Sequence, residues 1–201
     1  MKLGMKQISK IGAFLAALLV ALTVTAAPGS IIPIYKTNPP QPALGFDVSS
    51  HQTVAIRFSP IEDVTLNTIE VWFMNNSTTE QGQVRITLHH DKKTKNELSV
   101  PGKEVIESWS FPVSSLGWNT AKEVLVSKIN PKLMYNQRYW LVAESDASPL
   151  NNPVWSIADS QNDNISLGFA GSYNRDEHKW ASLGYSAIPT VTISGELPEN
   201  P

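Results

Sequence analysis

Residues 128–145 read KINPKLMYNQRYWLVAES, and this stretch predicts the fold of the chain. Turn signals at Asn130 and Asn136 precede an apolar run that begins at Tyr139 and alternates in the manner of a strand. Leu133 precedes Tyr139 by six residues, the spacing of a tyrosine corner, in which the Tyr hydroxyl bonds to the upstream backbone. Because such corners belong to antiparallel sandwiches, the stretch indicates an all-β domain.

The same period of two recurs along the chain from Phe46 onward. Turn residues separate the alternating segments at intervals of about 8–12 positions, which is typical of a sandwich or barrel. We therefore predict an all-β fold of two packed antiparallel sheets, jelly-roll-like, with an immunoglobulin- or fibronectin-like sandwich as the alternative. The alternating segments are 53–58, 69–74, 84–89, 105–111, 124–126, 154–157, 167–169 and 190–193.

The N-terminus has the pattern of a cleavable signal peptide. Residues 1–10 contain three Lys and no acidic residue, and residues 11–22 form a short apolar run before small residues. The run is shorter than the ~20 residues that span a bilayer comfortably. We predict a signal peptide over residues 1–26 and no membrane span after its cleavage.

The remaining chain divides by composition into three parts. Residues 27–44 contain five Pro and predict an extended leader or linker, with enough apolar residues to add an edge strand. Residues 45–195 predict a single β-sandwich domain. Residues 196–201 predict a polar tail.

Charge and cysteine content restrict the partners and the compartment. The chain has 16 basic and 18 acidic residues, and removal of three signal-peptide Lys leaves 13 against 18, a net charge of −5. This balance argues against nucleic acid, which requires a basic surface. The chain has no Cys, which excludes disulfides, thiolate chemistry and a lipoprotein anchor. We expect an exported bacterial protein, periplasmic or extracellular.

The order of the strand patterns resembles a known family. The patterns are VWF (71–73), VRITLHHD (84–91), PG (101–102), YWLV (139–142), WSI (155–157) and KW (179–180). This order over residues 45–195 resembles the choice-of-anchor β-sandwich domains of exported bacterial surface proteins. The resemblance implies a jelly-roll-like domain of the cell surface without a generally established activity. Those proteins usually end in an anchoring segment, whereas this sequence ends in a polar tail, so we expect a soluble exported protein.

Six Trp suggest either a large aromatic core or a surface that stacks on sugar rings. Trp72 and Trp140 alternate with apolar neighbours and so point to the opposite face of their strands. Trp118 and Trp180 adjoin polar loop residues. We predict these four as ligand-binding residues, with core packing as the alternative for each.

Catalytic and metal signatures are weak. Glu107 and Glu144 lie on predicted strands near Trp residues and are the best candidate acids for glycoside cleavage. The oxygen-rich loop with Asp159, Asn162 and Asp163 is a weak candidate for structural calcium. The four His have no metal-ligand spacing, so no other cofactor is predicted.

Three functions follow from these patterns. The first is an exported, non-enzymatic binding module, most readily for a glycan, through Trp-bearing strand faces and loops. The second is a structural or interaction protein of the bacterial surface, matrix or periplasm that binds a surface protein and no small ligand. The third is a polysaccharide-active hydrolase.

Overall fold

The computed structural model describes residues 29–75, 81–93, 99–150, 152–158, 169–184 and 187–199. The predicted signal peptide, residues 1–26, lies outside these ranges, as do the calcium candidates Asp159, Asn162 and Asp163. Among the described residues, no helix has the length and apolarity needed to cross a membrane.

The described chain consists of strands and a single 3-10 turn. The turn spans Val113–Ser115. The strands are β1 (Ile31–Lys36), β2 (Pro40–Asp47), β3 (Gln52–Phe58), β4 (Val64–Asn75), β5 (Gln83–Lys93), β6 (Ser99–Pro112), β7 (Ala121–Val126), β8 (Lys132–Leu133), β9 (Tyr139–Ser145), β10 (Pro153–Ala158), β11 (Phe169–Asn174), β12 (Lys179–Gly184) and β13 (Val191–Glu196).

The strands form two antiparallel sheets that pack together as a β-sandwich, so the predicted fold class is confirmed. Sheet A has the order β1-β13-β4-β10-β2, and β7 and β8 also pair with β4. Sheet B has the order β12-β11-β3-β9-β5-β6.

The pairing within the sheets is nested in the manner of a jelly roll. β1 pairs with β13, β3 with β9, β4 with β7, and β5 with β6. The chain thus folds as one long hairpin of paired strands, which closes when β13 joins β4 and β9 joins β5. Two-sheet jelly rolls of eight strands have this organisation. The remaining strands are additions to these eight.

The core lies between the two sheets and is built from the alternate residues of each strand. Phe58 and Tyr139 stack within sheet B at a ring distance of 5.8 Å, and Phe73 stacks on Trp155 within sheet A at 5.5 Å. Phe73 also meets Phe111 edge to face across the sandwich, at 5.6 Å. Aromatic pairs in these geometries add about 0.5–1.5 kcal/mol each to the burial of their area.

The domain begins earlier than the sequence predicted. Much of the expected linker, residues 27–44, belongs to strands β1 and β2, which lie at two edges of sheet A. Ile34 and Tyr35 of β1 are fully buried in the core. Prolines are tolerated here because an edge strand leaves some backbone N–H groups without a ladder partner. The sequence boundary at residue 45 is therefore corrected.

The predicted tyrosine corner is present, but its hydrogen bond reaches back five residues, to Met134, and not six, to Leu133. The buried Tyr139 hydroxyl accepts a hydrogen bond from the Met134 backbone N–H at 3.0 Å. Burial raises the pKa of Tyr139, so the phenol stays protonated. Leu133, in the two-residue strand β8, pairs with Val64 of sheet A. The corner therefore connects the start of β9 in sheet B to a strand of sheet A.

We expect Tyr139→Phe to lower the free energy of unfolding by about 1–3 kcal/mol, because it leaves the Met134 N–H without its partner. Chemical denaturation monitored by Trp fluorescence measures this change. Tyr135→Phe is the matched control, since Tyr135 is 56% exposed, and it should retain wild-type stability. Equal stability of both variants would contradict a structural role for the corner.

Candidate functional site

The β11–β12 hairpin extends sheet B beyond the eight strands of the jelly roll. β11 pairs with β3, and among the described strands β12 pairs with β11 alone, so β12 is an edge strand of the described sheet. Its two faces carry different chemistry, because side chains alternate across a strand. One face of the hairpin, with Tyr173, continues the outer surface of sheet B. The other face, with Ser172, is on the same side of the sheet as the core residue Val54.

The outer face of the hairpin carries an aromatic surface, formed by Trp180 and Tyr173 above Trp140. Tyr173 and Trp180 are paired across the two strands, with ring centroids 5.3 Å apart. Both are partly exposed. Trp180 also contacts the ring of Trp140 at 6.2 Å. The aromatic surface therefore consists of the partly exposed rings of Tyr173 and Trp180, and Trp180 packs against the buried ring of Trp140.

Trp140 is held in place from several sides. It is only 1% exposed, and its indole N–H donates to Asp91 Oδ1 at 2.7 Å. The Arg57 guanidinium lies 5.9 Å from the ring centroid, within the range of a cation–π interaction. The prediction that Trp140 itself stacks on a ligand is wrong, because its ring is covered.

The core-side face of the hairpin lines a polar cleft of about 450 Å³. The hairpin contributes small or polar side chains on this face, where a core strand would place apolar ones. The lining consists of Asp47, Ser49, His51, Gln52, Pro149, Ser172, Asn174, Asp176, Glu177, Lys179 and Ala181. This set defines the polar cleft, and apart from Pro149 and Ala181 its members carry hydrogen-bonding or charged groups.

Hydrogen bonds fix several groups of the polar cleft. Asn152 Nδ2 donates to Asp47 Oδ1 at 3.0 Å, and Gln52 Nε2 donates to the Asp47 carbonyl at 3.0 Å. Asn174 Oδ1 accepts from the backbone N–H groups of Asp176 and Glu177. The amide of Asn174 is thereby oriented, with its carbonyl oxygen occupied by the turn.

The turn of the hairpin is tied to the body of the sandwich through two residues. His51 Nδ1 lies 2.7 Å from Asp176 Oδ2, and the His51 carbonyl accepts from the Arg175 N–H at 2.9 Å. The Arg175 side chain donates to Thr53 Oγ1 at 3.1 Å and lies 3.7 Å from the Glu144 carboxylate. These contacts hold the turn against β3 and β9.

The other two predicted Trp lie elsewhere. Trp118 is 66% exposed in the loop before β7. Trp72 is partly buried on the outer face of sheet A, opposite Lys122 of β7. Of the four predicted ligand-binding residues, only Trp140 and Trp180 come together.

The predicted acids do not form a catalytic pair. Glu107 pairs with Leu88 on the core side of sheet B, whereas Glu144 pairs with Arg85 on the outer side. Glu107 is buried, and its carboxylate accepts from Ser127 Oγ at 2.7 Å and the Lys128 N–H at 2.6 Å. The prediction for Glu107 is corrected. Its carboxylate hydrogen-bonds the residues that follow β7 and so links edge strand β6 of sheet B to edge strand β7 of sheet A.

The polar cleft was missed by sequence reasoning because its residues come from distant segments and form no local motif. Residues 172–179, SYNRDEHK, offered one signal, because the core-side positions Ser172, Asn174 and Lys179 carry polar side chains where a core strand would carry apolar ones. In the part of the chain that the structure describes, no group of three His, Asp or Glu residues is arranged to hold a metal ion.

No protein-family model and no curated protein matches this chain. The resemblance to choice-of-anchor domains therefore stays a prediction from strand patterns.

We expect Glu107→Ala to lower the free energy of unfolding by about 1–3 kcal/mol, because it leaves the buried Ser127 hydroxyl and the Lys128 N–H without their acceptor. Denaturant titration measures the loss. Glu104→Ala, on the same strand but exposed, serves as the control and should be neutral. A stable Glu107→Ala protein would show that the link between β6 and β7 is dispensable.

A second prediction concerns His89, which pairs with Trp140 on the outer face of sheet B. Burial lowers the pKa of His89, and the carbonyls of Gly102 and Glu104 oppose this more weakly. In the unfolded chain a His titrates near pH ~6.5, so the unfolded state binds more protons. Stability should therefore fall as the pH drops below about 6.5.

Unfolding free energies measured between pH 5 and pH 8 for the wild type and His89→Gln test this. We expect the substitution to flatten the acid side of the profile. His90→Gln, an exposed neighbour, tests whether loss of any imidazole has this effect. An unchanged slope in His89→Gln would contradict the prediction.

Proposed function

We propose that this protein is an exported, non-enzymatic binding module for a glycan, and that the β11–β12 hairpin is its binding element. One observation carries the proposal. The hairpin is added to a complete jelly roll, and it presents two accessible aromatic rings on one face and a polar cleft on the other.

The aromatic surface suits the apolar faces of sugar rings. Trp and Tyr offer large flat areas with little conformational entropy to lose. Trp180 rests on Trp140, which is itself fixed by its hydrogen bond to Asp91. A ring that is held before the ligand arrives costs less to order on binding.

The polar cleft suits the hydroxyl groups of the same class of ligand. Its volume of about 450 Å³ lies within the range of about 300–1,000 Å³ that is usual for small-molecule sites. Hydroxyls both donate and accept hydrogen bonds, and the cleft offers carboxylates, amides and an ammonium group. Asp47 and Asn174 are already oriented by neighbouring groups.

The two acids predicted for a hydrolase, Glu107 and Glu144, do not form a catalytic pair. Paired acids must face each other across the scissile bond at about 5–9.5 Å, whereas Glu107 and Glu144 lie on opposite faces of sheet B. The Glu107 carboxylate is occupied by two internal hydrogen bonds.

The interaction-protein alternative is favoured by a different observation. On the outer face of sheet A, Val124 and Val126 of edge strand β7 are 50% and 60% exposed. Trp72 lies on the same face of β4. Exposed apolar side chains on an edge strand suit a protein partner, such as another protein of the bacterial surface.

We expect a soluble polysaccharide from a varied panel to bind the purified protein with a saturable shift in Trp fluorescence. Trp180→Ala should abolish the binding while the protein remains folded by circular dichroism. Trp118→Ala removes an exposed Trp outside the hairpin and should bind as the wild type does.

Trp72→Ala separates the two surfaces. Loss of binding in this variant but not in Trp180→Ala would move the site to sheet A. Absence of binding to every glycan would overturn the proposal and favour the interaction-protein alternative.

A further inference from the structure

The polar cleft carries an excess of negative charge. Its lining includes the three carboxylates of Asp47, Asp176 and Glu177, and a single ammonium group, that of Lys179. With His51 neutral, the formal charge of the lining is −2. These residues come from β2, the turn of the hairpin and β12, so the charge is distributed around the cleft.

The carboxylates of the cleft keep acceptor capacity for a ligand. Among the described residues, the Asp47 carboxylate receives one hydrogen bond, from Asn152 to Oδ1. Asp176 is bonded to His51 through Oδ2. The Glu177 side chain has no hydrogen bond or ion pair with any residue in the described ranges, and it is exposed. A carboxylate has about four lone-pair positions, so several remain available.

Lys179 offsets one of the three negative charges but is not paired with any one described carboxylate. No ion pair within 4.0 Å joins it to a carboxylate among the residues that the structure describes. It begins β12 opposite Asn174. The field inside the cleft is therefore set by the carboxylates, and clefts concentrate such a field.

From this charge and geometry we infer that the cleft selects glycans with free, protonated amino groups. This inference rests on the proposed function and specifies its ligand class. A sugar ammonium group donates charge-assisted hydrogen bonds to carboxylates, which are about twice as strong as neutral ones. An N-acetylated or hydroxylated sugar lacks that charge, and a uronic acid is repelled. The hydroxyls of the same sugar meet Ser49, Gln52 and Asn174.

The test compares matched tetrasaccharides by isothermal titration calorimetry with the full chain. The probes are β-1,4-linked tetramers of glucosamine, N-acetylglucosamine, glucose and glucuronic acid. We expect the glucosamine tetramer to bind at least ~10-fold more tightly than the acetylated and neutral tetramers. Because the carboxylates are near the surface, added salt should reduce this preference.

Two variants connect the preference to the cleft. Glu177→Gln keeps the shape of an exposed side chain and removes its charge, so it should reduce the preference for the glucosamine tetramer over the glucose tetramer several-fold. Glu62→Gln, exposed in the loop between β3 and β4, is the matched control and should change nothing.

The outcomes distinguish the two proposals. Equal or tighter binding of the neutral or acidic tetramers overturns the inference and leaves the glycan-binding proposal standing. If the protein binds none of the tetramers and no polysaccharide in the wider panel, both proposals are overturned. A glucosamine preference that Glu177→Gln does not reduce, and that a doubly substituted Asp47→Asn/Asp176→Asn protein also retains, overturns the assignment to the cleft.

Discussion

The position of β9 between β3 and β5 is the constraint on which the rest of this structure depends. β9 is a central strand of sheet B, and its register decides which side chains enter the core. Tyr139 and Leu141 point inward, so Trp140 and Val142 must point outward. A slip by one residue would exchange the two sets. The Tyr139 hydroxyl opposes that slip, because it is bonded to the backbone at Met134.

The same register connects the core to the candidate site. With Trp140 on the outer face, sheet B has a second apolar cluster, of Ala55, Trp140 and Val142, on which Trp180 packs. The aromatic surface is thus a consequence of strand pairing.

The hairpin differs from the eight core strands in what its sequence must satisfy. A core strand needs apolar residues on its inner face, and the hairpin lies past the edge of the opposing sheet. Ser172 and Asn174 can therefore stand where core residues would otherwise be required. Because it needs no apolar packing, this face can line the polar cleft, to which the turn adds the carboxylates of Asp176 and Glu177. The core and the candidate site thus occupy separate parts of one sheet.

The sequence by itself determined the class of fold, because the period of two and the tyrosine-corner spacing are local properties of a strand. It also placed Trp140 and Trp180 among the residues of interest. It did not reveal that Trp140 is covered, that Glu107 fastens two edges together, or that Asp47, His51 and Asp176 share a cleft. Those facts depend on which strands become neighbours, and contacts between residues that are 20, 49 or 125 positions apart leave no periodic signal. Only the tertiary structure decides them.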